Sequence, residues 1–138
     1  MNYFPNNGYG LHRAIYLSRA VAGQDERAVA AIVAKSAANN RARSVTGALI
    51  AYDGWFLQAL EGSCETLKPL FDLIAADPRH CDVMLKAVAP VEKRLFARWG
   101  MKQGQLPDVS VLDIQTADAD VLLSILKLSL LAPAARAA

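Results

Sequence analysis

The stretch SVTGALIAYDGWFLQALEG, residues 44–62, is apolar over most of its length and is interrupted by one Asp-Gly pair. This pair, Asp53 and Gly54, is a strong signal for the tight turn of a β-hairpin. The apolar runs on either side have the length and the composition of strands. The stretch therefore predicts two adjacent antiparallel strands, and the other elements are predicted outward from this hairpin.

A glutamine, Gln58, lies at the centre of the second strand of the hairpin. Because side chains alternate between the two faces of a strand, Gln58 shares its face with Phe56 and Leu60. A buried primary amide that lacks hydrogen-bond partners costs about 1–3 kcal/mol for each unpaired group. We therefore expect polar partners beside Gln58.

A strand and a helix precede the hairpin. The segment RAIYLSRA, which begins at Arg13, alternates with the period of two that is typical of a strand. The following segment, GQDERAVAAIVAKSAANN, offers Asp25 as an N-cap and repeats apolar residues at helical spacing. We expect this helix to end near Asn39 or Asn40.

A second helix and two strands follow the hairpin. Ser63 can cap the helix, and Pro78 follows its end. The segment CDVMLKAVAPV, residues 81–91, predicts a fourth strand, and FARWGMKQ, residues 96–103, predicts a fifth. The order β-α-β-β-α-β with an added strand predicts an α+β, ferredoxin-like fold with both core helices on one face of the sheet.

The chain divides into three predicted regions. Residues 1–10 combine proline, glycine and asparagine and predict a flexible N-terminal arm, residues 11–105 form the predicted domain, and residues 106–138 a C-terminal helical extension. Leucines surround most of the helix predicted in ADADVLLSILKLSLLA, residues 117–132. This helix either closes the open face of the sheet or contacts another chain. In the second case Leu126→Glu is expected to change the oligomeric state or the binding of a partner.

The composition excludes several classes of protein. The 138 residues carry a formal charge of +2, with 54% hydrophobic and 20% charged residues, which favours a globular domain and argues against a nucleic-acid surface. The chain shows no signal peptide and no apolar run of the ~20 residues that span a membrane, so we expect a cytoplasmic protein. Cys64 and Cys81 lack the spacing of metal ligands and are expected to be buried.

Most catalytic motifs are missing from the sequence. It contains no dinucleotide fingerprint, no P-loop, no H-E-x-x-H and no G-x-S-x-G. Acidic residues occur near turns and helix starts, where a capping role is the simpler interpretation; they are Asp53, Glu61, Glu65 and Asp72. Hydrolysis is therefore poorly supported.

Three polar residues lie at positions where apolar ones are expected: Tyr16, Gln58 and Asn40. On the first helix, Ile32, Ser36 and Asn40 form one stripe that would suit a flat heteroaromatic ligand. A ferredoxin-like topology also places the strands of Tyr16 and Gln58 side by side. The alternative is a Tyr–Gln hydrogen bond in an ordinary core with Asn40 as a helix cap, and the pattern alone leaves both open.

Four blocks of the sequence resemble one family, the BLUF domains, which sense blue light with a flavin. The blocks are AIYLSRA (14–20), AKSAANNRARSVTGALIAYDGWFLQALEG (34–62), LIAADPRHCDV (73–83) and KRLFARWGM (93–101). They occur in the order and spacing of the family, over roughly residues 11–105. The resemblance implies that Tyr16 and Gln58 belong to a photoswitch.

The resemblance also implies the other residues of the site. Tyr16 would be the redox-active tyrosine and Gln58 the glutamine that switches its hydrogen bonds, with Trp99 and Met101 on the last strand. The flavin, FAD with FMN or riboflavin as alternatives, would be bound by Tyr16, Gln58 and a further set: Ile32, Ser36, Asn39, Asn40, Arg79 and His80. No metal is implied. One departure is that many members carry arginine where this helix has Lys35 or Ala37.

Under this interpretation the protein is not an enzyme. Light would move an electron and a proton from Tyr16, and the changed hydrogen bonding of Gln58 would reach the last strand and the C-terminal helix. The short chain leaves no room for an output domain, so we expect a downstream effector protein as partner, a homo-oligomer, and binding to neither nucleic acid nor membrane. The alternatives are a small ferredoxin-like acyl-phosphate hydrolase and an interaction module without a ligand.

Overall fold

The structure is a computed structural model that describes residues 10–21, 26–52, 54–104 and 114–131. The predicted cap Asp25, the turn residue Asp53 and residues 1–9 of the predicted N-terminal arm lie outside the described residues, as do residues 105–113 and 132–138. Within the described ranges the elements are β1 (His12–Ala20), α1 (Glu26–Ala42), β2 (Thr46–Tyr52), β3 (Trp55–Gly62), α2 (Cys64–Ala75), β4 (His80–Pro90), β5 (Lys102–Gln103) and α3 (Ala119–Leu131).

The five strands form one sheet in the order β4-β1-β3-β2-β5. The pairs β4–β1, β1–β3 and β3–β2 are antiparallel, and β5 runs parallel to β2. The predicted hairpin is confirmed, with Tyr52 opposite Trp55 and Gly54 in the turn at φ +81°, a conformation that glycine adopts without strain. Ser63 caps α2, as predicted, by accepting a hydrogen bond from the backbone N–H of Thr66 at 3.2 Å.

Each face of the sheet carries its own core, because strand side chains alternate. Both α1 and α2 pack on the face that contains Tyr16 and Phe56, which confirms the prediction that the two core helices share a face. The opposite face, with Leu17 and Leu57, is covered by α3. The ferredoxin-like fold with an added strand and a C-terminal helix is therefore confirmed.

The fifth strand is much shorter than predicted. The sequence favours a strand over residues 96–103, whereas only Lys102–Gln103 pair with β2, and bends, a turn and irregular chain occupy residues 91–101. The physical reason is the carboxylate of Glu61, which accepts the backbone N–H groups of Leu95 and Phe96 at 2.8 and 3.0 Å. These N–H groups are unavailable to a strand ladder. Glu61 is therefore not a cap, as the sequence suggested, but a fully buried acceptor.

The C-terminal helix closes the open face of the sheet, one of the two predicted interpretations. Leu122 and Leu126 are completely buried against the α3-side core, whereas Leu128 is 57% exposed. The expectation that Leu126 would contact another chain is therefore wrong, because this side chain already packs within its own chain. The expectation that both cysteines are buried holds for Cys64 and is wrong for Cys81, which is exposed.

The described residues show neither a membrane span nor a metal centre. None of the helices in the described ranges is both long and apolar enough to cross a membrane. The same ranges contain no group of three or more His, Cys, Asp or Glu side chains arranged to hold a metal ion.

Candidate functional site

Tyr16 and Gln58 are neighbours at the centre of the sheet. They are directly opposite each other in the antiparallel register of β1 and β3, and the Tyr16 hydroxyl donates a hydrogen bond to Oε1 of Gln58. Tyr16 is completely buried, and its ring forms a T-shaped pair with the ring of Phe71, with 5.3 Å between the centroids. Burial raises the pKa of Tyr16 well above its ordinary value, so this hydroxyl stays protonated and remains a donor.

The other end of the Gln58 amide has no hydrogen-bond partner in the part of the chain that the structure describes. Gln58 is 7% exposed, and its amide nitrogen makes no hydrogen bond to any residue that the structure describes. Its side chain lines a cleft beside α1. Because an unpaired buried amide is costly, the arrangement indicates that a polar group of a ligand belongs beside Gln58.

The cleft lies between α1, the sheet and the turn that joins α2 to β4. Its inner part is lined by Ile32, Ser36, Leu49, Phe56, Gln58, Ile74, Asp77, Arg79 and His80. An adjoining outer part shares Ser36, Ile74, Asp77 and Arg79 with the inner part. It adds Lys35, Asn39, Asn40, Arg43, Leu70, Leu73 and Met101. Apolar walls with a few polar groups are typical of sites for small organic ligands.

An ion pair lies where the two parts of the cleft meet. Nη2 and Nε of Arg79 donate to the carboxylate of Asp77 at 2.5 and 3.1 Å, and the backbone N–H of Arg79 donates to it at 2.9 Å. These hydrogen bonds and the adjacent positive charge lower the pKa of Asp77 from 3.8 to about 2. The same partner raises the pKa of Arg79. The pair is therefore charged over the physiological range.

His80 is buried in the wall of the inner cleft rather than exposed at a helix end. Its Nε2 lies 2.5 Å from the carbonyl oxygen of Ile74, and its Nδ1 lies 2.7 Å from the hydroxyl of Ser18. Because a carbonyl oxygen only accepts, Nε2 donates to Ile74, and the hydroxyl of Ser18 is the partner of Nδ1. His80 thus fixes the end of α2 to β1.

Asn40 connects α1 with the segment that leads into β5. It is 2% exposed, and its Nδ2 donates to the carbonyl oxygen of Gly100 at 2.8 Å. Its backbone oxygen accepts from the N–H groups of Arg43 and Val45, as a helix cap does. Its side-chain oxygen has no hydrogen-bond partner among the described residues. Asn40 is therefore a second buried amide with one end unpaired.

Trp99 and Met101 lie on opposite sides of the sheet. Met101 is 6% exposed and lines the outer cleft beside Asn40. Trp99 packs against the α3-side core, and the ammonium of Lys102 lies 5.9 Å from the centroid of its ring. All of the residues predicted for the site line the cleft except two. Tyr16 lies behind the cleft and contacts Gln58, whereas Trp99 lies on the opposite face of the sheet.

Several residues that line the inner cleft were not among the predicted site residues, namely Leu49, Phe56, Ile74 and Asp77. The signal for Leu49 was present, because a hairpin that turns at Gly54 pairs this residue with Gln58. Phe56 shares the face of Gln58 by strand alternation. Asp77 and Ile74 belong to the α2–β4 turn, whose position depends on tertiary packing.

Comparison with known proteins identifies the class to which this fold and cleft belong. A protein-family model described as "BLUF: Sensors of blue-light using FAD" matches residues 11–102. This match covers more than half of the chain and includes every residue of the predicted site. The chain therefore belongs to the BLUF family of flavin-binding blue-light sensors.

Individual relatives agree with this assignment. A photoactivated adenylate cyclase subunit beta from Euglena longa is 34% identical over 85 residues, which are 61% of this chain and 10% of that protein. The chain thus spans about a tenth of the length of this relative. The dark-state structure of the BLUF protein BlrB is 30% identical, with a TM-score of 0.65 over 68% of this chain and 71% of BlrB.

A second solved structure has the same fold at lower identity. The photo-activated state of BlsA has a TM-score of 0.80 and covers 89% of this chain and 96% of BlsA. Its sequence is 22% identical, so this likeness concerns the fold alone. Both BlsA and BlrB therefore have the fold described above, and BlrB is a BLUF protein.

Proposed function

We propose that this chain senses blue light by binding FAD non-covalently in the cleft between α1 and α2, and that Tyr16 and Gln58 form its switch. One observation supports this most directly. Gln58 lines the cleft and accepts a hydrogen bond from Tyr16 with its amide oxygen, while its buried amide nitrogen has no partner among the described residues. A side chain placed in this way can connect a redox-active phenol with a ligand in the cleft.

The residues of the cleft fit the edge of a flavin ring. The ring carries both carbonyl oxygens and an imide N–H, which match the unpaired nitrogen of Gln58 and the unpaired oxygen of Asn40. Ile32, Leu49 and Phe56 would contact its apolar faces. Ser36, Asn39, Arg79 and His80 would contribute the remaining polar contacts. FMN or riboflavin would use the same contacts to the ring.

A flavin, when bound and excited by blue light, supplies a strong one-electron oxidant. The residues of this chain then determine the response. Tyr16 is held neutral by burial, and its proton already lies in a hydrogen bond to Oε1 of Gln58, so loss of an electron from Tyr16 favours transfer of that proton to Gln58. A primary amide presents a donor and an acceptor at similar positions, so rotation or tautomerisation of Gln58 reverses its hydrogen bonds.

The output is proposed to pass through the segment that follows the loop at residues 92–99. Asn40 holds the carbonyl oxygen of Gly100, and Met101 lines the cleft, so this segment is in contact with the site. It continues into β5, and Gly104, directly after β5, lies against Ser129 of α3. Signalling from α3 to a separate effector protein, in a cytoplasmic homo-oligomer without nucleic acid or membrane, remains our proposal. The cyclase relative supports the general idea of an effector downstream of such a domain.

The decisive test is the absorbance of the purified protein loaded with FAD. The parent protein is expected to shift its flavin band to the red under blue light and to recover in darkness. Gln58→Leu should still bind FAD but lose the shift, because it removes the amide that switches. Gln115→Leu, the same change at an exposed position, serves as the matched control and should behave like the parent. A full shift in Gln58→Leu would contradict the proposal.

A further inference from the structure

Glu61 is the most completely satisfied buried charge among the described residues. It lies at the end of β3, on the face opposite to Gln58, and is 0% exposed. The residues opposite it in the two neighbouring strands both donate to it: Nε of Arg13 to Oε2 and Oγ1 of Thr46 to Oε1, each at 2.9 Å. The backbone N–H groups of Leu95 and Phe96 fill the remaining positions on Oε2 and Oε1.

The two backbone donors belong to the loop that crosses from β4 at one edge of the sheet to β5 at the other. Arg13 and Arg94 add further contacts to this crossing. Nη2 of Arg13 donates to the carbonyl oxygen of Lys93 at 3.2 Å, and the guanidinium of Arg94 donates to Thr46, Ser44 and the backbone oxygen of Glu61 at 2.9–3.0 Å. The loop is thus fastened to the ends of β2 and β3 through side chains.

The same loop determines where Trp99 and Met101 lie. The N–H of Trp99 donates to the carbonyl oxygen of Phe96 at 3.1 Å. Phe96, which donates its own N–H to Glu61, is therefore hydrogen-bonded to Trp99, which packs on the α3 side of the sheet. The carbonyl oxygen of Trp99 then accepts from Gly47 of β2 at 3.1 Å. A shift of Leu95 and Phe96 would therefore move Trp99 and, two residues later, Met101.

We propose that Glu61 is a positioning residue of the light switch, which fixes the loop so that Met101 lies at the cleft and Trp99 on the opposite face. This inference rests on the proposed function. Glu61 touches neither the cleft nor Gln58, and it acts by holding Leu95 and Phe96. Movement of the segment during the return to the dark state must work against these hydrogen bonds, which resist displacement because one partner is charged.

The test uses Glu61→Gln in the full chain loaded with FAD. Each carboxylate oxygen accepts two hydrogen bonds, so an amide in either orientation presents its NH₂ group to one of the two backbone donors. We expect dark recovery to be about tenfold faster than in the parent, the change produced by loss of one such interaction from the barrier. Glu65→Gln, the same change on the exposed start of α2, should recover at the parental rate.

A second measurement reads the position of Trp99 in darkness. In a Trp55→Phe background, Trp99 is the remaining tryptophan of the chain, since the sequence contains two. Quenching of its fluorescence by acrylamide should increase about twofold in Glu61→Gln as the loop loosens. Thr46→Val, which removes one donor to Glu61, should change both readouts in the same direction but less, and serves if Glu61→Gln does not fold.

The outcomes separate this inference from the proposed function. A parent protein without any light-induced shift would end the proposed function, and Trp99 quenching would still decide whether Glu61 positions the loop. A merely structural Glu61 would lower the free energy of unfolding but leave the recovery rate and the quenching of folded protein unchanged. Parental values of both in Glu61→Gln, or a slower recovery, would overturn the inference.

Discussion

At the scale of single residues, the site is distinguished by which polar groups are satisfied and which are not. His80 and Glu61 are buried, and both ring nitrogens of His80 and both carboxylate oxygens of Glu61 have hydrogen-bond partners, as structural polar groups do. Gln58 and Asn40 are equally buried, and each leaves one end of its amide unpaired among the described residues. The proposed position of the ligand rests on these two unpaired ends.

The Asp77–Arg79 pair at the cleft leads to a prediction about acid stability. Arg79 lowers the pKa of Asp77 from 3.8 to about 2, so the carboxylate stabilises the folded state above pH 3.8 and loses this effect as the pH falls through 2. Because both side chains are partly exposed, at 27% and 41%, we expect Asp77→Asn to lower the free energy of unfolding at pH 6 by only about 1 kcal/mol.

This difference between Asp77→Asn and the parent should shrink to less than half at pH 2, as measured by urea unfolding at both pH values. Asp72→Asn is the control, because Asp72 pairs with Lys68 at 3.5 Å on an exposed face of α2. Such a pair contributes little, so this variant should lie near the parent throughout. An equal loss at pH 6 and pH 2 in Asp77→Asn would show that the charge of Asp77 is not responsible.

At the scale of elements, α3 has a buried side that covers the sheet and an exposed side. Leu122, Leu126 and Ser129 are at most 3% exposed, while Val121 and Leu128 are 44% and 57% exposed. Leucines occur on most sides of this helix, and only the packing shows which of them belong to the chain's own core. A surface for self-assembly or for an effector would therefore have to use Val121 and Leu128 rather than Leu126.

This division of α3 predicts different costs for the same substitution two residues apart. Leu126→Ala should lower the free energy of unfolding by about 2–5 kcal/mol, because it leaves a cavity against the sheet. Leu128→Ala removes an exposed side chain and should change it by less than about 0.5 kcal/mol. Denaturant unfolding of the dilute protein measures both. Similar losses at the two positions would mean that α3 does not pack on the sheet as described.

At the scale of the whole molecule, the sheet separates the cleft from α3, and the segment around β5 is in contact with both sides. At one end, a side chain at Gly100 would collide with the backbone of Ala37 in α1. At the other end, a Cβ at Gly104 would lie 2.8 Å from Cβ of Ser129 in α3 and 3.0 Å from Ile50. These close approaches link the helix of the cleft to the helix on the opposite face.

The contact between β5 and α3 can be tested by a double-mutant cycle. Gly104→Ala should lower the free energy of unfolding by about 1–3 kcal/mol, because the added methyl group forces β5 and α3 apart. Ser129→Gly removes the atoms that the methyl group would meet, so the double variant should be more stable than the sum of the two single losses predicts.

Ser124→Gly provides the matched control for this cycle. Ser124 is also in α3, and its hydroxyl donates to the carbonyl oxygen of Asp120 at 3.0 Å, but its side chain is exposed. Combined with Gly104→Ala it should give simple additivity. A coupling energy near zero for the Gly104–Ser129 pair would contradict the direct contact between β5 and α3.

The sequence by itself determined the elements that depend on local patterns. The Asp-Gly turn and the alternation of side chains defined the hairpin, and with it the pairing of Tyr16 with Gln58 once the ferredoxin-like order was inferred. The Ser63 cap was likewise visible, because its partners lie within three residues. The resemblance of four sequence blocks to one family implied a flavin ligand and most of the proposed binding residues.

Only the tertiary structure decided the features that depend on distant contacts. The contacts of Glu61 with Leu95 and Phe96, and with them the shortness of β5, depend on hydrogen bonds between residues more than 30 positions apart. The placement of Trp99 and Met101 on opposite faces is visible only in the packing. The burial of Leu126 follows from packing of α3 on a sheet that is distant in sequence. The periodicity of a sequence shows which residues share a face of an element, but it does not show which other element covers that face.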